Sequence, residues 1–108
     1  MKRILTDFEL MAMLAVLRVR DEAYGVPIAR ELEAAGRRVT LGAVYLALDR
    51  LEGQGLLAST LGDATAQRGG RAKRYFRVTA AGLRAIRATQ RTFVSMWQDI
   101  PELNGGRA

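Results

Sequence analysis

The sequence predicts a mainly helical protein with one small β-hairpin, in the order three helices, hairpin, fourth helix. Apolar residues recur at helical spacing in four segments, most of which begin at a capping residue. Alternating residues on both sides of a polar, glycine-rich loop indicate two antiparallel strands. At 108 residues, the chain is expected to form a single thin core that gains from a partner subunit.

The first helix is marked by the segment Thr6-Asp7-Phe8-Glu9. A threonine followed three residues later by a glutamate is a capping box, and Leu5 and Leu10 are placed to form the accompanying hydrophobic staple. The apolar residues that follow cover nearly the whole circumference of the helix. We therefore expect this helix to lie between other elements.

The second helix is predicted from Tyr24-Gly25 to Gly36. Pro27 fits only its first turn, where the missing N–H costs nothing, and a glycine after the last turn suits a left-handed stop. Ile28 and Leu32 lie four residues apart and are expected to face the core.

Thr40 is expected to cap the third helix, which ends at Gly55. Its predicted buried stripe consists of Val44, Leu48 and Leu51. The opposite face is predicted to carry Gly42, Tyr45, Leu46, Asp49 and Gln54. The short connection between the second and third helices is what a helix-turn-helix requires.

The hairpin is predicted from strands at residues 56–61 and 71–78, joined by the polar loop 62–70. Phe76 and Val78 are its expected core pair and share a face with Arg74, whereas Tyr75 is expected to lie partly exposed among basic residues. Three helices followed by a basic hairpin is the order of a winged helix. In that architecture the third helix enters the major groove and the hairpin, or wing, lies against the flanking backbone.

Thr79 is expected to cap a last helix that runs to about Gln98, followed by a frayed tail from Pro101 to Ala108. Steps of three and four residues along this helix define a heptad seam: Leu83, Ile86, Gln90, Phe93, Trp97 and Ile100. We expect the seam to pair two copies of the chain. Packing within a monomer core, or a flat ligand held between Trp97 and its symmetry mate, are the alternatives. Residues 1–78 are thus predicted to form a winged helix domain and residues 79–108 a dimerisation helix with its tail.

The charge favours a polyanion as partner. Seventeen lysines and arginines stand against eleven acids, which gives a net charge of +6. No acid occurs from Ala64 to Gln98, a stretch that holds Arg68, Arg71, Lys73, Arg74, Arg77, Arg84, Arg87 and Arg91. A solvated basic face is the alternative, but the missing acids and the position of half the run in the hairpin favour a phosphate-binding surface.

Cysteine and histidine are both absent. This excludes disulfides, thiolate nucleophiles, Cys/His zinc sites and an imidazole base, and neither a Walker-type loop nor a carboxylate pair in an apolar setting replaces them. We therefore expect no enzyme activity, no cofactor and no metal. Without an apolar run of eighteen residues or a secretory signal, the chain is expected to be cytoplasmic and nucleoid-associated through DNA binding.

An ordered set of motifs extends from roughly Thr6 to Gly82: Tyr24-Gly25, Gly42-Ala43-Val44-Tyr45, Leu48, Arg50-Leu51-Glu52, Gly55-Leu56, Gly69-Gly70-Arg71, Lys73-Arg74-Tyr75-Phe76-Arg77-Val78-Thr79 and Gly82. This set resembles the PadR-type transcriptional regulators. The resemblance implies a homodimeric repressor of a nearby operon, in the short-tailed branch with one C-terminal helix. Some members release DNA when they bind a small aromatic ligand. One departure is Leu46, where many relatives have proline.

The candidate DNA-binding residues lie on the third helix, its approach and the hairpin: Arg38, Thr40, Gly42, Ala43, Tyr45, Leu46, Arg50, Arg71, Lys73 and Arg74. For Tyr45 the alternatives are packing on the second helix and contact with a phosphate or base edge. Because the first two turns of the third helix carry neither Arg nor Asn, we expect backbone contacts and DNA shape to matter more than base readout. A winged-helix module that binds protein and an architectural DNA binder without an operator remain alternative functions.

Overall fold

The computed structural model describes residues 3–62 and 72–106. Its helices and strands are, in chain order, α1 (Asp7–Arg18), α2 (Gly25–Ala34), α3 (Leu41–Gly53), β1 (Leu57–Leu61), β2 (Arg74–Val78) and α4 (Ala80–Trp97). Two 3₁₀ helices, Arg20–Glu22 and Pro101–Gly106, complete the described secondary structure. The predicted class, mainly helical with one antiparallel hairpin, is confirmed.

Helix α1 occupies the centre of the fold and contacts α2, α3, α4 and β2, as its apolar circumference predicted. Its capping box is present. The Glu9 amide donates to Thr6 Oγ1 at 3.1 Å, and the Thr6 amide donates to Glu9 Oε1 at 2.8 Å. Ala12, Met13 and Val16 are buried on this helix. The cap therefore sets where the central helix of the core begins.

Helices α2 and α3 bury the residues that their periodicity predicted. Ile28 and Leu32 of α2 are buried, as are the three predicted stripe residues of α3, Val44, Leu48 and Leu51. Both helices end at a glycine in the left-handed region, Gly36 with φ 90° and Gly55 with φ 78°. The two helices of the helix-turn-helix are therefore terminated at the predicted glycines.

The hairpin pairs β1 with β2 in an antiparallel register that places Leu57 opposite Val78 and Ser59 opposite Phe76. Phe76 is buried and Val78 is half-buried, in agreement with the predicted core pair. The Phe76 amide donates to the Ala23 carbonyl at 2.8 Å, which ties β2 to the connection between α1 and α2. Both strands begin later than predicted, β2 at Arg74, and the loop residues 63–71 lie outside the described part.

The first half of α4 packs closely on the winged helix unit. Gly82, Ala85, Ala88 and Thr89 are its buried residues. A Cβ at position 82 would collide with the Leu56 carbonyl oxygen and lie 2.7 Å from Val78 Cγ1, so only glycine allows this approach. Thr79 caps the helix, as predicted, by accepting from the Gly82 amide at 3.0 Å.

The chain beyond α4 differs from its prediction. A frayed tail was expected, but residues 101–106 form a 3₁₀ helix, so that expectation is wrong for this segment. Asp99 has φ 61° and turns the chain, and the Leu103 amide donates to the Ile100 carbonyl at 3.0 Å. Ile100 and Leu103 share a cleft with apolar residues of α4. The apolar contact there stabilises the folded conformation of this segment. No helix within the described ranges is long and apolar enough to cross a membrane.

Candidate nucleic-acid interface

Helix α3 presents its N-terminus and one whole face to solvent. Thr40 is exposed, and its Oγ1 accepts from the Ala43 amide at 3.0 Å. The first four N–H groups of a helix have no intrahelical acceptor, and Thr40 satisfies one of them. The end of α3 therefore keeps the donors and the positive dipole that favour a phosphate.

The outer face of α3 is formed by residues that no other part of the described chain covers. Gly42 and Arg50 are exposed, Leu46 is 66% exposed, and Ala43 is half-buried at the edge of this face. Arg38 is exposed just before the helix. Within the described ranges neither arginine forms an ion pair, so both keep an uncompensated positive charge.

Tyr45 is half-buried and packs against the start of α2. A Cβ at Gly25 would collide with the Tyr45 hydroxyl and ring, which shows how closely the two helices approach there. The motif glycine at position 25 therefore makes room for the motif tyrosine. The packing alternative accounts for the ring, and contact of the Tyr45 hydroxyl with DNA stays a prediction.

An ion-pair cluster fixes the base of the wing to α3. Arg74 of β2 donates to Asp49 Oδ1 at 2.6 Å and also to Glu52 of α3. Ser59 of β1 donates to Glu52 Oε2 at 2.7 Å and accepts from Arg74 at 3.1 Å. The hydrogen bonds from Ser59 and Arg74 hold the pKa of Glu52 below its ordinary value. Because two acids of α3 balance the Arg74 charge, this residue acts within the chain as a positioning residue, and its contact with phosphate stays a prediction.

No motif in the sequence predicts this cluster directly. Asp49 is predicted on the outer face, and neither Glu52 nor Ser59 is predicted to contact Arg74. Two features of the sequence could have predicted the cluster. A pair of acids lies three residues apart near the end of α3, and Arg74 lies on the core face of the strand that follows. Two carboxylates at that spacing lie on one side of a helix.

Aromatic side chains support the other side of the wing. Lys73 Nζ lies 4.0 Å from the ring centroid of Tyr24, and the Tyr24 and Tyr75 rings meet edge to face at 5.5 Å. Tyr75 is half-buried next to this lysine, as predicted. Lys73 therefore keeps its charge at a fixed place beside the wing. Gly69, Gly70 and Arg71, predicted at or near the wing tip, lie outside the described residues.

The predicted seam is half-buried at both ends and exposed from Gln90 to Trp97. Leu83, Ile86 and Ile100 are half-buried, and Gln90 is exposed. Phe93 is 42% and Trp97 58% exposed. Phe93, Met96, Trp97, Ile100 and Leu103 line an open cleft of about 270 Å³. Met96 and Leu103 were not among the predicted residues, although Met96 follows Phe93 at a helical step of three.

Comparison with known proteins agrees with this geometry. The model of the transcriptional regulator PadR-like family matches residues 13–88. The chain is similar to the transcriptional regulator Rv3488 of Mycobacterium tuberculosis, with 35% identity over 82 residues that cover 74% of this chain and 71% of the relative.

Two solved structures show the same architecture. A PadR family transcriptional regulator from Eggerthella lenta has a TM-score of 0.68 and 27% identity, covering 90% of this chain and 83% of its own. A PadR family transcription regulator from Clostridium difficile has a TM-score of 0.69 and 21% identity, covering 91% of this chain and 99% of its own. The second likeness supports the fold alone.

Proposed function

The chain belongs to the PadR-like family of transcriptional regulators and is a DNA-binding regulator, not an enzyme; from that premise we propose that it is a homodimeric repressor of an operon near its own gene. The observation that supports the proposal most strongly is the uncovered outer face of α3. A buried stripe fixes one side of this helix, and the Arg74 cluster fixes the wing beside it. A rigid helix with an open face and a basic flank is suited to the major groove.

In the proposed complex the N-terminus of α3 and the basic residues around it bind the DNA backbone. Arg38, Arg50 and Lys73 supply charges that no ion pair within the described ranges neutralises. Leu46 and Ala43 present methyl groups suited to thymine. DNA shape then contributes most of the specificity and backbone contacts most of the affinity, because the outer face offers few side chains for bidentate base readout.

The second half of α4 is the proposed dimer contact. Phe93 and Trp97 remain largely exposed, and residues 91–99 are exposed throughout. Covering two large aromatic side chains per protomer supplies much of the free energy that a small dimer needs. A symmetric pair also sets two copies of α3 at a fixed distance, which a palindromic operator requires.

A small aromatic effector fits the same cleft. Phe93, Trp97 and Met96 offer flat and polarisable surfaces around a cleft of about 270 Å³, and a symmetry mate would close its open side. In this proposal, the ligand stacks between the two Trp97 rings and changes the spacing of the α3 helices. Operator affinity then falls when the ligand binds.

The proposal is tested by titrating purified protein against the DNA upstream of its own gene and against a scrambled fragment, at two salt concentrations. A preference of roughly a thousandfold for the native fragment, with a steep salt slope, is the expected result. Equal, salt-sensitive binding to both fragments would instead indicate an architectural DNA binder. If no binding occurs at low salt, the chain acts as a protein-interaction module.

A further inference from the structure

A second cleft lies on the other side of α4, between this helix, the N-terminal segment and the start of the wing. Its volume is about 510 Å³, within the range of small-molecule sites. The floor is apolar and consists of Leu56, Ala81, Ala85 and Ala88. Four arginines complete its lining: Arg3, Arg84, Arg87 and Arg91. We call it the arginine groove.

The charges of the arginine groove are not balanced by its own lining. Among the described residues no carboxylate lines it, and α4 contains no acid along its whole length. Arg84, Arg87 and Arg91 are exposed and spaced by three and four residues, an arrangement in which like charges repel. Within the described ranges, Arg3 is the one groove arginine with side-chain partners, Glu9 at 2.6 Å and Gln54 at 2.7 Å, which fix one end of the groove. The repulsion is an energetic cost that a bound anion would remove.

The groove lies apart from the aromatic cleft and from the N-terminal end of α3, where the proposed repressor binds phosphate. Gln54, which holds Arg3, follows the last turn of α3, whereas the DNA-facing end of that helix begins at Thr40. Thirteen residues at 1.5 Å each place these ends about 20 Å apart. At about 100° per residue, the stripe Arg84, Arg87 and Arg91 points about 120° away from the centre of the heptad seam. Pairing through the seam therefore leaves the groove open on each protomer.

We propose that the arginine groove binds a small phosphorylated molecule with an apolar body. Guanidinium groups match phosphate oxygens in pairs of parallel hydrogen bonds, and several of them around one cleft favour a dianion over a single carboxylate. The floor of alanines and Leu56 is apolar and shallow, which suits a flat ring or a short alkyl chain. The inference concerns a site distinct from the aromatic cleft and does not require that cleft to hold a ligand.

Isothermal titration calorimetry of the full chain with 1-naphthyl phosphate tests this proposal. Uncharged 1-naphthol is the matched probe, and Arg84→Gln/Arg87→Gln is the groove variant. Arg18→Gln/Arg30→Gln removes the same charge from the α1–α2 surface and serves as the control. We expect naphthyl phosphate to bind wild type and the control within twofold of each other, and the groove variant at least tenfold more weakly. Naphthol should bind Trp97→Ala, whose aromatic cleft is disabled, at least tenfold more weakly than the phosphate does.

Further measurements separate the groove from the other surfaces. Trp97→Ala is expected to keep its affinity for naphthyl phosphate, and the groove variant is expected to unfold no more easily than wild type, because like-charge repulsion is removed. Equal binding of naphthyl phosphate by the groove variant and wild type, or equal binding of naphthol and naphthyl phosphate by Trp97→Ala, would overturn the proposal. So would loss of operator affinity in the groove variant alone, which would assign these arginines to DNA. Operator binding by wild type tests the repressor proposal independently.

Discussion

The two halves of α4 use opposite kinds of residue, although they belong to one continuous helix. Residues 80–89 bury small side chains, and Gly82 brings the helix into contact with the backbone at Leu56. Residues 90–97 carry large apolar side chains, among them Phe93, Met96 and Trp97, and these stay exposed. Small residues allow two elements of one chain to approach closely, whereas large exposed ones reach toward a surface that the described chain does not supply.

The buried polar groups of the winged helix unit find their hydrogen-bond partners within the chain. Thr89, the last buried residue of α4, accepts from the Leu5 amide at 3.0 Å and donates to the Ala85 carbonyl at 2.8 Å. Within the described ranges no buried side-chain polar atom lacks a hydrogen-bond partner. The winged helix and the first half of α4 thus form one core whose buried polar groups are all paired within the described ranges. The second half of α4 extends beyond this core and is suited to pairing with a second copy of the chain.

Truncating the exposed aromatics is expected to have the largest effect. The double variant Phe93→Ala/Trp97→Ala removes four anchors from the proposed dimer, two per protomer. At about 1 kcal/mol each, their loss should raise the dimer dissociation constant by roughly a thousandfold. Sedimentation equilibrium measures this constant. Leu61→Ala removes an exposed apolar side chain from the wing and should leave the dissociation constant unchanged. A double variant as dimeric as wild type would place the interface elsewhere.

The second largest effect is expected from a larger side chain at Gly82, where the start of α4 lies close to the backbone at Leu56. Gly82→Ala forces a methyl group against the Leu56 carbonyl and Met13 Cε, and we expect the free energy of unfolding to fall by about 2 kcal/mol. Gly53→Ala is the control, because nothing lies within 4 Å of a Cβ there. This change should stabilise the protein by about 0.5 kcal/mol. Urea unfolding measures both, and equal effects would refute the close packing.

Low pH is expected to weaken the hydrogen bonds and the ion pair that Glu9 forms with Thr6 and Arg3 at the start of α1. Burial of Glu9 opposes its ionisation, but hydrogen bonds from the Thr6 amide and from Arg3 outweigh it and hold the pKa of Glu9 below its ordinary 4.5. Ionised Glu9 therefore stabilises the fold above the unfolded-state pKa, and this contribution is lost as the pH falls through the lower pKa of the folded state.

Glu9→Gln tests this pH dependence, since glutamine keeps the capping box but not the charge. We expect the variant to be about 1 kcal/mol less stable than wild type at pH 7 and nearly equal to it at pH 3. Urea unfolding at both pH values gives the two differences. A deficit of the same size at pH 3 would show that the charge of Glu9 contributes nothing.

The smallest effect is expected at the wing. Lys73→Gln should not change the stability of the fold measurably, but it should lower the slope of operator affinity against salt by about one. Arg30→Gln, on the exposed surface of α2, is the matched loss of one charge and should leave the slope unchanged. Fluorescence anisotropy at several salt concentrations gives the slope. Identical slopes for the two variants would remove Lys73 from the DNA contact.

The elements that sequence reasoning located well are those set by local chemistry. Thr6, Thr40 and Thr79 cap their helices as predicted, because a threonine hydroxyl finds the amide three residues on without help from the rest of the chain. The left-handed stops at Gly36 and Gly55 are equally local. Periodicity alone also identified the buried faces of α2 and α3.

The features that sequence reasoning missed depend on contacts between distant segments. The hydrogen bonds from Arg74 to Asp49 and Glu52 depend on how the hairpin packs against α3. The residue pattern of neither segment predicts that packing. The order in residues 101–106 arises in the same way, because Leu103 shares a cleft with Phe93 and Trp97 of α4. Tyr45 was placed on the correct helix, but its packing on Gly25 was only one of two alternatives.

Coupling between the winged helices and the second half of α4 is tested most directly by changing the spacing of the operator. Once footprinting has located the two half-sites, five base pairs are inserted between them, which turns one half-site by about half a helical turn. We predict that wild type loses at least a hundredfold in affinity, whereas Phe93→Ala/Trp97→Ala binds both DNAs equally and weakly. Wild-type affinity that is unchanged by the insertion would show that the winged helices bind independently and would contradict a dimer built on α4.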